Sequence, residues 1–410
     1  MLNRVARSSR RLARGPERRG RLVLAMGMIA FFCTASTAGA QQSLTDVLSF
    51  LLTNRSIPTG DFQGDAQAAA VTRDTIATFL VSELGTLPLS SSASGFIYQM
   101  DPALGGVPTR SSESFGPFRT ERALTIGARR LSLGAAFQRV VFDSIDGRPL
   151  GDGTLIATAS RLVSDTQPFD VETLTLRLRM TTATISMNAG ITDRLEAGLF
   201  VPVVSVNLAG ERVDTYRGQS VLQAGAEASA SGMGDIVWRT KYNMLRSASG
   251  GVSVVVDGRL PTGRTEDLIG AGNRTLRPRL IASIEGSRAS LNGDVGYVFG
   301  SFSDEIDYAV GVTASASSRL TVIGELVGRR LSAAGHLTEV TAAHPFLVGI
   351  ETVRLTAAEQ PTQRVVGLGG VKWNVATAWL VSAHLSRFLT DAGLTGNWVP
   401  AVSIEYSFGG

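Results

Sequence analysis

Thiol chemistry is almost missing from this chain. Its 410 residues hold one cysteine, Cys33, and three histidines. That excludes a disulfide framework and a cysteine-rich metal cluster, since both need several ligands at set spacings. Charge is also scarce, at 18% of residues, while glycine is plentiful at 45. The only apolar run long enough to suggest a helical span is near the start, Leu22 to Cys33, and it is shorter than the ~20 residues a bilayer requires. An ordinary soluble globule and a helical membrane protein are both poor fits to these shortages.

What is present at the start is an export signal. An arginine-rich stretch precedes the apolar run, and small residues at Ala38 and Ala40 precede Gln41. The pattern predicts a secretory signal peptide over residues 1–40, cut after Ala40. The arginine pairs Arg10-Arg11 and Arg18-Arg19 lack the following residues of a twin-arginine signal. Eight arginines and one glutamate lie in this stretch, so 31 basic and 34 acidic residues remain, a formal net of −3. The apparent basicity therefore belongs to the signal, and no nucleic-acid partner is implied. Cys33 leaves with it, and Phe31-Phe32 before it do not form a lipidation site.

Residues 41–120 form a second region. SLTDVLSFLL and DAQAAAVTRDTIATFLVSEL read as two helices, with Ile76, Leu80 and Leu84 at helical spacing and Phe79 beside them. A Ser/Gly/Pro-rich stretch from Pro88 to Pro117 follows. The helices have no core of their own and must pack on something else, as a plug or a periplasmic cap.

From about Ala123 the period becomes two. In GDIVWRTKYNM, Ile236, Trp238, Tyr242 and Met244 alternate with Asp235, Arg239, Lys241 and Asn243. About a dozen segments repeat this strand signature. Tight turns at Thr192–Arg194, Ser247–Gly251, Gly286–Arg288, Ser317-Ser318 and Asn374–Ala376 alternate with longer polar loops near 144–168, 210–232, 262–275 and 332–362. Short turns at one end and long loops at the other predict an all-β, transmembrane, antiparallel up-and-down barrel over residues 121–410. The count is twelve strands, from 124–142 to 397–408, or fourteen if HPFLVGIETVRL pairs rather than lying in a loop. A soluble sandwich or propeller competes less well, because charged residues recur through the middle of strands.

In hydrocarbon every backbone N–H and C=O must be paired, so a closed sheet is required. With the apolar face outward, Trp238, Tyr242, Tyr297, Trp373, Trp379, Trp398, Tyr406 and Phe408 become membrane-interface aromatics. The lumen then receives Arg177, Arg179, Arg239, Lys241, Arg259, Arg277, Arg279, Arg329 and Lys372. Facing them are Glu196, Asp235, Asp257, Glu285, Asp294, Glu305, Asp307, Glu325 and Glu405, which balance the signs. Clustering of Arg177, Arg179, Arg277 and Arg279 predicts a local basic patch.

Catalytic signals are weak. His384 and Ser386 share the inward face with Ser382, the wrong side for a Ser hydrolase acting on membrane lipid, and Asn397 pairs too far along the next hairpin. His336 and His344 lack metal-spaced partners apart from Glu339. Gly270–Thr275 is not set between strand and helix as a phosphate loop requires. No cofactor and no metal is expected.

Several pieces resemble one family. They are SGFIYQMDPALGGVPTRSSESFGPFRTERALTIG, ITDRLEAGLFVPVV, GMGDIVWRTKY, GRLPTG, GAGN, GVKWNVATAWLVSAHL and LTDAGL, the most specific being Lys372–Asn374 and Thr192–Glu196. They are similar to outer-membrane barrels grouped under "MetA-pathway of phenol degradation", a transporter family. The resemblance implies a barrel that admits small hydrophobic or aromatic compounds and carries no catalytic residues. The chain departs from such barrels in placing Gly409-Gly410 after its final aromatic. The reading that follows is a bacterial outer-membrane channel, embedded in lipid and inserted by barrel-assembly machinery that recognises Tyr406 and Phe408. The alternatives are a non-conducting structural or adhesion barrel that binds partners through its loops and, third, a lipid hydrolase.

Overall fold

The computed structural model describes residues 42–53, 60–84, 95, 98–101, 107–110, 114–247, 249–376 and 378–408. The expected signal peptide with Cys33, and Gly409-Gly410, lie outside them. Two helices open the described chain, α1 (Leu44–Leu52) and α2 (Phe62–Leu84). The Ser43 hydroxyl accepts from the Asp46 N–H at 3.1 Å and caps α1, and Asp61 does the same for the Gly64 N–H at the start of α2. No helix among the described residues is long and apolar enough to cross a membrane.

Twelve strands follow as one closed antiparallel barrel. They are β1 (Leu131–Phe142), β2 (Pro168–Gly190), β3 (Leu195–Tyr216), β4 (Ile236–Ser247), β5 (Gly250–Leu260) and β6 (Thr275–Glu285). The others are β7 (Ala289–Val298), β8 (Glu305–Ser317), β9 (Leu320–Ala343), β10 (Ile350–Ala376), β11 (Trp379–Phe388) and β12 (Val399–Phe408). Each pairs with its neighbour in sequence, and β12 closes on β1 from Ala401–Gln138 to Phe408–Leu131. The alternation alone could not separate twelve strands from fourteen. Residues 344–355 add none, because Ile350 onward is the start of β10 itself. The first strand begins at Leu131 rather than near 124.

The strands are unequal. β1 and β12 have 12 and 10 residues, close to the ~9–11 that cross a bilayer, whereas β2, β3, β9 and β10 have 22 to 27. Much of what reads as loop near 210–232 and 332–362 is therefore strand, continuing past the membrane as paired hairpins. Two further strands join there. Gln219–Met233 pairs with the upper half of β3, and Leu155–Leu162 pairs on one side with β2 and on the other with β10. This last strand spans the gap above the short β11, β12 and β1. One end of the barrel therefore carries short turns and the other the long hairpins.

Strand pleating sets the outer face. Phe137, Ile185, Leu280, Val312 and Val402 stand exposed around the middle, an apolar surface that water would disfavour by about 25 cal/mol per Å² and that lipid satisfies. Aromatics border it at two heights. Tyr242, Trp373, Trp379, Tyr406 and Phe408 lie towards the short-turn end, with the Tyr406 ring 4.7 Å from Trp379 and 4.4 Å from Phe408. Trp238, Tyr297 and Trp398 lie towards the other. Trp238 is register-paired with Gly258, where an added Cβ would collide with the indole, and Tyr308 covers Gly328 in the same manner. Only glycine lets a ring lie flat on the neighbouring strand at these points.

Candidate functional site

The interior divides along the barrel axis into an apolar upper half and a charged lower half. In the upper half, Leu174, Leu176, Leu178 and Met180 of β2 and Val204, Val206 and Leu208 of β3 point inward. They form one core with Leu44, Val47, Leu48 and Leu51 of α1 and Ile76, Phe79 and Leu80 of α2. Each such side chain contributes about 1.5–3 kcal/mol by leaving water. Polar contacts fix the seat. Arg212 donates to the Leu51 carbonyl at 3.0 Å and also to that of Thr53, satisfying carbonyls at the end of α1, while its Nε lies 2.8 Å from Glu172. Arg354 holds Asp65 at 2.6 Å and Asp61 at 3.2 Å near the start of α2. At the far end of α2, Glu83 meets Arg329 at 3.4 Å and also pairs with Arg364.

The lower half is occupied by the irregular segment 114–128. Its backbone N–H groups at Phe118, Arg119 and Thr120 donate to the Glu325 carboxylate, the last two at 3.0 and 2.9 Å. Farther along, the Glu121 N–H donates to Asp294 at 3.2 Å and the Ile126 N–H to Glu196 at 2.9 Å. Inward acids thus accept from the backbone N–H groups of a segment that joins no strand among the described residues. Charged side chains of the segment join the wall. Glu121 pairs with Arg239 and lies 3.4 Å from Lys241, and Arg122 is 2.8 Å from Glu285. Asp257 sits between Arg239 (2.6 Å) and Arg279 (3.0 Å), and Asp294 lies 3.3 Å from Arg279. Lys372 donates to the Pro117 carbonyl at 2.8 Å and stands 5.1 Å from the centre of the Phe118 ring.

Open space remains along one wall as a row of three cavities. The uppermost, ≈ 80 Å³, is lined by Arg259, Asn273, Ser301 and Phe302. It shares Arg277, Glu305 and Arg329 with a second of ≈ 70 Å³, which reaches Gln138, Ser386 and Phe388. Arg119 belongs to this second cavity and to a third of ≈ 20 Å³ around Phe118, Lys372, His384 and Glu405. The His384 ring lies tilted against Phe118, with centres 4.4 Å apart. Arg277 is held by Asp307 at 2.9 Å, and Arg119 donates to Gln138 at 3.0 Å. Arg277, with Glu305 and Arg329, thus lies between the first two cavities, and Arg119 between the second and the third.

Most of the expected lumen residues do face inward. Glu196, Asp235, Arg239, Lys241, Asp257, Arg279, Glu285, Asp294, Glu325, Arg329 and Lys372 are buried, and Arg259, Arg277, His384 and Glu405 are partly so. Asp235 accepts from the Gly263 and Ala271 N–H groups and so secures the 262–275 loop, while Glu405 accepts from Ser132 at 2.7 Å. Arg177 and Arg179 are the correction. They point outward, and Arg177 sits 3.6 Å from Glu211 with both side chains well exposed. In LTLRLRM the leucines were expected to face lipid, but they face the helices. The expected basic patch consequently loses half its members. All eight interface aromatics are on the outer face. Unforeseen were Glu83, Glu121 and Arg122, which lie in segments without strand alternation. The signal available was charge in a region expected to pack inside a barrel.

No catalytic geometry assembles around His384 and Ser386. Ser386 is buried on the inner wall, and Asn397 is bound to Asp143 at 2.7 Å. His336 lies 3.0 Å from Asp146, and His344 Nδ1 accepts from the Phe346 and Leu347 N–H groups. No group of three potential metal ligands occurs among the described residues.

One acid on the upper hairpins titrates abnormally. Asp170 lies on the part of β2 that pairs with Leu155–Leu162, beyond the end of β1 and outside the membrane-crossing part of the barrel. Burial, then a hydrogen bond with Asp214 and its charge, then Glu172, push its carboxyl up to about 7. The sign follows from linkage. The unfolded carboxyl loses its proton near its ordinary value and the folded one only near 7, so this site's contribution falls as pH rises between them. Asp170→Asn should flatten the pH dependence of unfolding between about 4 and 7 and raise stability at pH 8 relative to wild type. Denaturant midpoints across that range check it. Midpoints with an unchanged pH slope would remove Asp170 as the cause.

Comparison with known proteins places these features. The family model described as "Putative MetA-pathway of phenol degradation" matches residues 154–393, more than half of the chain. No curated protein matches. Among solved structures, an outer membrane channel from Pseudomonas putida F1 is similar at 11% identity and a TM-score of 0.46, covering 70% of this chain and 98% of its own. The CymD monoaromatic hydrocarbon channel is similar at 10% identity and a TM-score of 0.28, with 78% and 100% covered. The toluene transporter TbuX of Ralstonia pickettii is similar at 10% and 0.26, with 69% and 90% covered. Likeness at these scores carries no inference about a solute.

Proposed function

Because the chain belongs to the family described as "Putative MetA-pathway of phenol degradation", we propose that it is an outer-membrane channel for small molecules, with apolar and aromatic compounds as the class it admits. The observation that carries this reading is the row of three cavities along one wall, successive members sharing Arg277, Glu305 and Arg329, then Arg119. Phe302, Phe388 and Phe118 recur beside cationic side chains along it. A planar solute could stack on either kind of surface, which favours flat, partly apolar molecules over sugars. Export through a cleaved leader over residues 1–40 and insertion by the barrel-assembly machinery belong to the same reading.

The helices and segment 114–128 fill most of the remaining interior, which favours as second reading a closed barrel acting through its long hairpins. Recording from the full-length protein in a planar bilayer separates the two. The channel reading expects discrete currents that benzoate interrupts more strongly than acetate at equal ionic strength. Currents affected equally by the two would remove the aromatic preference, and a silent bilayer would favour the closed barrel.

A further inference from the structure

Apart from Arg330 on β9, three of the outward arginines form a group of their own. Arg139 of β1, Arg179 of β2 and Arg387 of β11 are exposed on the outer face, and none has a carboxylate within ion-pair distance among the described residues. Register places them together. Arg139 is paired with Thr181, two residues from Arg179, a diagonal spacing of roughly 7–8 Å between adjacent strands. Arg387 stands two strands from β1, across β12, a lateral step of roughly 10 Å with an offset of two residues from Arg139, and three strands from Arg179 at roughly 14 Å. Its guanidinium carbon lies 5.5 Å from the centre of the Trp398 ring, which precedes β12 and so stands between Arg387 and β1.

Height is as informative as spacing. Arg139 and Arg387 each stand eight positions along strands that begin at Leu131 and Trp379, beside the lower aromatics. Arg179 stands eleven positions from the corresponding end of β2, at Gly190. A tilted strand crosses the hydrocarbon in ~9–11 residues, so all three lie at its upper border, above the exposed Phe137, Ile185, Leu385 and Val402. A lipid-facing arginine costs ~2–4 kcal/mol at mid-bilayer and little near the interface. The opposite sector, β4 to β8, has no charged residue on its outer face: Leu260, Leu280, Val295 and Val310 occupy it there. The nearest outward acid, Asp143, follows the end of β1 and is engaged by Asn397 through two hydrogen bonds, while Glu211 and Glu227 lie near Arg177, which pairs with Glu211.

We propose that Arg139, Arg179 and Arg387 form a docking site for the phosphate-bearing headgroup of an outer-leaflet glycolipid. Arginine suits this partner because its planar fork meets phosphate through two parallel hydrogen bonds. The acyl chains would lie on the apolar strip below, and Trp398 would pack against the headgroup at the interface. The site is independent of what passes through the lumen and holds for a conducting or a closed barrel.

Native mass spectrometry of the full-length protein in mild detergent, mixed with bisphosphorylated lipid A or its fully dephosphorylated form, tests the site. Wild type should retain the phosphorylated lipid and release the other. The triple variant Arg139→Gln, Arg179→Gln, Arg387→Gln should lose retention at least about tenfold, since each arginine supplies charge-assisted bonds. The corresponding triple lysine variant should keep most of it. Folding of each variant is read independently from the gel shift of the unheated barrel. Equal retention of the two lipids by wild type, or unchanged retention by the folded glutamine variant, overturns the proposal.

Discussion

Deletion of residues 42–84 should convert a narrow or silent barrel into one with several-fold larger conductance in a planar bilayer. The expectation rests on what α1 and α2 cover. They meet the inward side chains of β2 and β3 and reach Arg329 and Arg364 at the edge of the middle cavity. Twelve strands enclose only a modest bore, so two helices within it take up a large share. The deletion also strips cover from Leu174, Leu176, Leu178, Val204, Val206 and Leu208, at about 1.5–3 kcal/mol for each side chain returned to water. The truncated barrel should therefore unfold at lower denaturant even as it conducts more. A truncated barrel that refolds and remains silent would end the channel reading.

The second large effect is expected from Asp257. Its carboxylate lies between Arg239 and Arg279 in a network whose members are nearly all excluded from solvent. Asp257→Ala leaves two buried guanidinium groups short of a partner, a loss of about 3–5 kcal/mol. Arg148→Ala is the matched control. It breaks an ion pair of similar length with Glu339, but at side-chain exposures of 35% and 40%, where such pairs contribute about 0–1 kcal/mol. Urea midpoints read from the gel shift of the unheated barrel compare the two. Equal losses would show that the lower network is solvated despite its burial.

These expectations also show how far alternation can be read. A period of two assigns residues to faces, and in β4 to β8 that was enough, because one face is apolar and the other charged. It says nothing about which face is inside. Along β4, Tyr242 and Met244 oppose Lys241 and Asn243, and lipid takes the apolar side. In the upper part of β2, Leu174, Leu176 and Leu178 oppose Thr175, Arg177 and Arg179, yet the leucines turn inward because helices rather than water occupy the bore there. The assignment of Arg177 and Arg179 to the lumen failed for that reason. The hairpins past residue 332 read as loops because polar residues stand on both their faces above the membrane. Pairing with a neighbouring strand, which no single segment reveals, makes them strands. Segment 114–128 was legible in composition but not in role. Its charges find partners only once six different strands bring Glu196, Arg239, Asp257, Arg279, Glu285, Asp294 and Glu325 around it.

The strand Leu155–Leu162 has a mechanical consequence. The barrel's chain ends meet at one seam, where β12 lies against β1. If that pairing unzips from Phe408–Leu131 to Ala401–Gln138, a simple ring becomes an open sheet. Here β2 would still be tied to β10 through the bridging strand, by Ala159–Val171 on one side and Ala159–Val353 on the other. The wall is thus hooped twice, and a pull that parts the lower seam would meet a second, offset loop before the cylinder could unroll.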